Sequence, residues 1–347
     1  MSEEPAVETR YVLSLCGGGV RDAIPATILN RLQADMGKGT AELFDMLVGV
    51  SGGAMMALHT AVQKAVHHQT VVDYMDMFSR KNLCKMLDKS PLDRVMGEVQ
   101  FAPVYDGTGK TAVLRKYLGN TKLAALNEVP VVVPVYNLRH RRTEIFSTHD
   151  ERCGDFSAWE VGDASSAAIP YFPPVRMSNR DWYIDGGYAC NDPVLVAYTE
   201  ARRYFGPDCN VRIMSLGAGV QQTDPDWHTD RIANWGAIQW MCNGLFDLMM
   251  DAPNDLMRHQ VARLMQLENQ SSQPNRGNCL LYVNEDVPSV KLDDYDQVDS
   301  VLKAAGNRAF ERSRGDMADF FRPESLKLPA SMANGVFSPK AAGKVRL

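Results

Sequence analysis

The chain has 347 residues, 45% hydrophobic and 23% charged, enough for a sizeable core in one large domain or two smaller ones. A formal net charge of −5 argues against a general nucleic-acid binder, whose balance is usually basic. Seven cysteines, an odd number with no pair at CxxC spacing, argue against a disulfide framework and a structural zinc site and fit a reducing compartment.

The opening MSEEPAVETR is polar and acidic, without the apolar stretch of a secretory signal. YVLSLC (11–16) reads as a first strand, and after a glycine cluster AIPATILNRLQADM (23–36) carries apolar residues at helical spacing. FDMLVGV (44–50) reads as a second buried strand, with the helix GAMMALHTAVQKAVHH (53–68) starting directly after it. Residues 70–128 look mainly helical, with loops around Pro91 and from Pro103 to Gly109. GTGKT (107–111) resembles the end of a P-loop but lacks the first glycine at the required distance, so it is read as a turn.

VPVVVPVYNL (129–138) is too short to span a membrane and reads as a buried strand. It leads through the basic turn RHRR (139–142), read as a solvated tip, into TEIFST (143–148) as a hairpin. WYIDGG (182–187) and VRIMSLGAG (211–219) are strands ending in glycine-bearing loops. In WGAIQWMCNGLFDLMM (235–250), Trp235, Ile238, Cys242, Leu245 and Met249 share helical spacing; a core helix is favoured over a lid or a lipid-facing surface. ENQSSQPNRGN (268–278) reads as a loop, LLYVNE (280–285) as a strand and about 293–321 as a helix. The tail from Arg322 reads as poorly ordered, its Lys327, Lys340, Lys344 and Arg346 a weak lure for anionic membrane. Strands alternating with helices predict an α/β class with a mostly parallel sheet. One domain (11–321) is expected between an N-terminal extension (1–10) and the tail (322–347).

Three segments carry candidate chemistry. GVSGG (49–53) stands between a buried strand and a helix, where Gly49, Gly52 and Gly53 permit a sharp turn that lifts the Ser51 hydroxyl out of the sheet at a helix N-terminus. Its bland reading is a glycine-rich turn with an incidental serine. CGGGVR (16–21) can aim successive N–H groups into one concavity suited to an acyl-transfer oxyanion, or can be a plain strand-to-helix turn. IDGG (184–187) holds Asp185 at a strand end as a candidate base for Ser51, or as an ordinary turn aspartate.

Taken in order, GGGVR, GVSGG, ASSAAIPYFPP (164–174) and DGG resemble the patatin-like phospholipase family, and SLGAG (215–219) and LDD (292–294) extend the likeness over roughly residues 11–310. The resemblance implies a three-layer α/β/α fold and a Ser51–Asp185 dyad without histidine. It implies backbone amides of Gly17, Gly18 and Gly19 as the oxyanion hole, with Arg21 supporting the loop, Gly49 and Gly53 shaping the nucleophile elbow, and Gly186 and Gly187 supporting the motif. No metal or cofactor is implied. The activity implied is hydrolysis of fatty acyl esters, commonly of phospholipids, by a cytoplasmic protein acting at a membrane surface. The compact chain also resembles the phospholipase effectors of bacterial anti-phage systems, which a cyclic oligonucleotide switches on. Two positions depart from the family pattern: Cys16 stands where Asp is usual, and Asp22 where Gly is usual. Cys16 reads as a packed strand-end residue. The alternatives are a non-catalytic lipid-binding module, or a Ser–Asp–His esterase using His259 or His228; all seven histidines are instead expected at the surface.

Overall fold

Val12, Leu13 and Leu15 are all essentially fully buried, so the first strand is covered on both faces, as a central parallel strand requires. In this computed structural model, which describes residues 7–89, 103–221, 230–271, 277–322 and 336–337, that strand is β1 (Thr9–Leu15). The other strands are β2 (Met46–Gly49), β3 (Val131–Asn137), β4 (Arg142–Ser147), β5 (Val175–Arg176), β6 (Trp182–Asp185), β7 (Asn210–Leu216), β8 (Val220–Gln221), β9 (Cys279–Val283), β10 (Asp286–Val287) and β11 (Val336–Phe337). Nine of them form one sheet in the order β11-β9-β7-β1-β2-β3-β6-β5, with β4 against β3; β8 and β10 pair separately. From β11 to β3 every pairing is parallel, whereas β4, β5 and β6 join antiparallel.

The longer helices are α1 (Ala23–Met36), α2 (Gly52–His67), α3 (Thr108–Leu118), α4 (Ala158–Ser165), α5 (Val194–Phe205), α6 (Leu245–Gln270) and α7 (Lys303–Phe320). Period-two alternation along the strands builds a separate core on each side of the sheet. Leu13, Leu15, Leu47 and Met214 pack into one core with residues of α1, α2, α3, α4 and α7. Val12, Met46, Val48 and Ile213 pack into the other with residues of α5 and α6. The layers are therefore helix, sheet and helix.

Register sets the level at which the functional loops meet. Val48 of β2 stands beside Val132 of β3, so the chain leaving β2 reaches the level of Val135, and there Asp185 of β6 pairs. An antiparallel strand thus delivers its last residue to the carboxyl ends of parallel ones.

Several expectations need correction. Residues 235–250 form two helices rather than one, Ala237–Cys242 and the start of α6, separated by Gly244 at φ 92°. They are not core: Ile238 is 76% exposed, Met241 61% and Met249 57%, because the buried side of α6 is supplied by Met250, Val261 and Met265. The first part of 268–278 is helical to Gln270, where Glu268 bonds Arg202 and accepts from Asn278 Nδ2 at 2.9 Å. GTGKT is not a turn; Thr108 to Thr111 open α3. Pro91, His228 and the tail residues Lys327, Lys340, Lys344 and Arg346 lie outside the described residues.

Candidate active site

Ser51 sits between β2 and α2 with φ 56° and ψ −126°, a sparsely populated conformation of the kind stored at functional turns. Gly49 and Gly53 allow the close approach around it: a Cβ on Gly49 would meet the Gly53 carbonyl oxygen at 2.3 Å, and one on Gly53 the Leu15 carbonyl oxygen at 2.4 Å. The Ser51 N–H donates to Ser165 Oγ at 3.1 Å, and Ser165 Oγ donates to the Pro134 carbonyl of β3 at 3.0 Å. Two residues on, Ala167 accepts from the Asp185 N–H at 3.1 Å. The 164–174 segment therefore fastens the backbones of Ser51 and Asp185 to each other.

Asp185 is 1% exposed. Burial pushes its carboxyl up to about 6, against the opposing effects of the Gly187 N–H, the Ser51 hydroxyl and the Lys110 ammonium. Oδ1 accepts from Gly187 at 2.7 Å. Oδ2 has no hydrogen-bond partner among the described residues, so the Ser51 hydroxyl stands near the carboxylate without being locked to it. Gly186 lies so close to β3 that a Cβ would meet the Pro134 carbonyl oxygen at 2.1 Å.

The glycine loop follows β1. The Gly17 N–H donates to the Asn191 carbonyl at 3.0 Å, and Asn191 Nδ2 returns a bond to the Gly17 carbonyl at 3.1 Å. The Gly18 N–H donates to Asp22 Oδ2 at 3.0 Å. The expectation of three free amides aimed at an oxyanion does not hold in this conformation, because Asn191 takes the Gly17 N–H and Asp22 takes the Gly18 N–H. Arg21 donates Nε to the Gly18 carbonyl at 3.4 Å and reaches Asp247 at 3.8 Å. Cys16 is buried, and burial raises its thiol well above the usual range.

A cavity of about 80 Å³ opens over Ser51 and Asp185, bounded by the glycine loop and walled by Met55, Phe78, Leu83, Met86, Tyr171, Phe172 and Met250. Lys110, which sequence reasoning passed over, also lines it. Its ammonium donates to the Asp163 and Ser166 carbonyls at 2.9 and 3.0 Å, pairs with Asp163 at 3.1 Å, and lies 4.5 Å from the Phe172 ring centre. Ser165, Ala167 and Asn191 were likewise missed as individuals, although the small-residue run containing the first two was the signal for them.

Among the described residues, no histidine lines this cavity. His259 is exposed on α6, and His228 is not described. His59 corrects the surface expectation: it is 4% exposed, and burial lowers it to about 4, so it is neutral near pH 7. In the basic turn, Arg139 pairs with Asp181 at 3.1 Å and Arg142 with Glu144 at 3.2 Å, so the tip carries its own counter-charges. No helix among the described residues is long and apolar enough to cross a membrane.

A strained serine hydroxyl beside a desolvated carboxyl that titrates near neutrality, under an apolar wall, is equipped for acyl transfer to serine. The family model described as patatin-like phospholipase matches residues 13–198. A protein of Pseudomonas aeruginosa named cGAMP-activated phospholipase is 26% identical, the match covering 89% of this chain and 90% of that one. Patatin-like protein 2 of Arabidopsis thaliana is also 26% identical, over 71% of this chain and 70% of its own. Among solved structures, VipD from Legionella pneumophila is similar with a TM-score of 0.33 and 15% identity, over 87% of this chain and 67% of that one.

Proposed function

The chain belongs to the patatin-like phospholipase family, and from that premise we propose that it is a serine lipid acyl hydrolase working through Ser51 and Asp185. Asp185 takes the proton as Ser51 Oγ attacks the ester carbonyl. The tetrahedral oxyanion is held by glycine-loop amides. Collapse expels the alcohol, protonated by Asp185, and leaves an acyl-serine. Water, deprotonated by Asp185, then releases the fatty acid and restores both residues. The observation that carries this reading is the Asp185 carboxyl, buried beside Ser51 with its pKa raised to about 6, where a carboxylate is a useful base near pH 7.

The acyl chain would lie along Met55, Phe78, Leu83 and Phe172, and the enzyme would work at a phospholipid surface. Exposed Ile238, Met241 and Met249 support that surface contact, since α6 also supplies Met250 to the cavity wall. A finer reading adds control by a cyclic nucleotide, as the name of the Pseudomonas aeruginosa relative suggests. A polar cavity of about 200 Å³ favours it: Arg258, Asn254 and Tyr282 line it together with Gly17 and Arg21 of the glycine loop, so a ligand there would touch that loop.

Fatty-acid release from mixed phospholipid vesicles tests both. Ser51→Ala and Asp185→Asn should lose at least about a thousandfold in rate, while His259→Ala should match the parent. A folded His259→Ala without activity would replace the dyad by a triad. Stimulation by a cyclic dinucleotide would support the finer reading, and an unchanged rate across a cyclic-dinucleotide panel would remove it.

A further inference from the structure

Asp22 directly follows Arg21 of the glycine loop, and it is fully buried. Its carboxylate takes the Gly18 amide, one of the three donors that the hydrolase reading assigns to the oxyanion. Oδ2 lies at the foot of α2, where a Cβ on Gly52, the residue after the nucleophile, would meet it at 2.0 Å. Negative charge there is favoured by the Gly18 N–H group and by the N-terminus of α2 together. Oδ1 has no hydrogen-bond partner among the described residues, although it too is buried. A structural tie would be expected to satisfy both oxygens.

We propose that Asp22 is an internal stand-in for the oxyanion, holding the Gly18 amide in a closed resting state that must open before Ser51 can be acylated. This rests on the hydrolase reading above. The Gly18 amide is a good donor already committed to an anion, and the transition state can use it only if the carboxylate gives it up. Burial raises the Asp22 carboxyl well above the usual range, and the Asp185 carboxylate nearby adds to that shift, so the fold does not hold this charge comfortably. Arg21, bonded to the Gly18 carbonyl, connects the loop to Asp247 and to the polar cavity behind it, a route by which a bound ligand would shift the loop.

The test uses the full chain without any added activator. A fluorophosphonate probe, whose phosphonyl oxygen occupies the oxyanion position as it labels serine, reads hole formation directly. A soluble p-nitrophenyl butyrate assay gives kcat and KM with no membrane step. Asp22→Gly, which releases the Gly18 amide, should label at Ser51 and hydrolyse at least about tenfold faster than the parent, chiefly in kcat. Asp22→Asn, similar in shape but uncharged, should fall between the two, which guards against a folding defect in the glycine variant. If both variants are folded by thermal melting yet label no faster than the parent, Asp22 is a loop tie and the proposal is overturned. Labelling of the parent that is lost in Ser51→Ala keeps the hydrolase reading whatever Asp22 does. Folded chains that never label at Ser51, Asp22→Gly included, would overturn both.

Discussion

Asp185 links function to stability through one proton. Its carboxyl holds a proton to about pH 6 in the fold but only to about pH 4 in an unfolded chain. The native state therefore binds the extra proton between those values, and stability falls as pH rises across that window. On the proposed mechanism the ionised base is what catalysis needs, so kcat/KM for a soluble ester should climb through about pH 6 and level off above it. Asp185→Asn should be inactive and yet more stable than the parent at pH 8, by up to about 3 kcal/mol, with the difference gone near pH 4. Denaturant midpoints at the two pH values measure this, and equal midpoints at pH 8 would show that the carboxyl is not desolvated. The residues of the proposed dyad stood out in sequence because glycines flank Ser51 and follow Asp185. Ser165, Ala167 and Asn191 were not, since their work is to bond backbone groups far away in the chain. Lys110 was hidden inside a string that resembles a broken phosphate loop, and only the packing of α3 against α4 turns it toward the cavity.

At the level of elements, the segment from Ala237 to Met250 shows what periodicity can and cannot tell. Helical spacing marked an apolar stripe, but a stripe does not say which neighbour covers it. The structure leaves Ile238 and Met241 in water while Met250, one turn beyond Phe246, reaches the cavity. Replacing both Ile238 and Met241 by Asp should reduce fatty-acid release from vesicles at least about tenfold, given roughly 1.5–3 kcal/mol for each large apolar side chain buried. Hydrolysis of p-nitrophenyl butyrate should stay the same. Equal losses in both assays would mean that the segment shapes the site rather than meeting lipid. Strands fared better than helices in this respect. β1 and β2 were readable from continuous apolar runs, because burial on both faces leaves no alternation to misread.

For the whole molecule, the parallel core from β9 to β3 carries the cooperative unit. Leu13 on β1 is fully buried in the larger core, so Leu13→Ala should lower unfolding free energy by about 2–5 kcal/mol, read as a shift in urea midpoint. A much smaller shift would mean that the sheet relaxes around the hole. The mostly parallel sheet followed from alternating strands and helices, and the helix–sheet–helix layering from the family resemblance, whereas the antiparallel entry of β6 followed from neither. Sequence order sets no direction for a short strand, and only pairing of Val135 with Asp185 fixes it.

That same pairing bears on when the proposed site can first assemble. Ser51 and the glycine loop leave the ribosome early, but β6 is made much later, and β7, which flanks β1 in the finished sheet, later still. A chain made only that far holds Ser51 without Asp185 and β1 without its β7 neighbour. On the hydrolase reading, the site can therefore assemble only after more than half of the chain has been made.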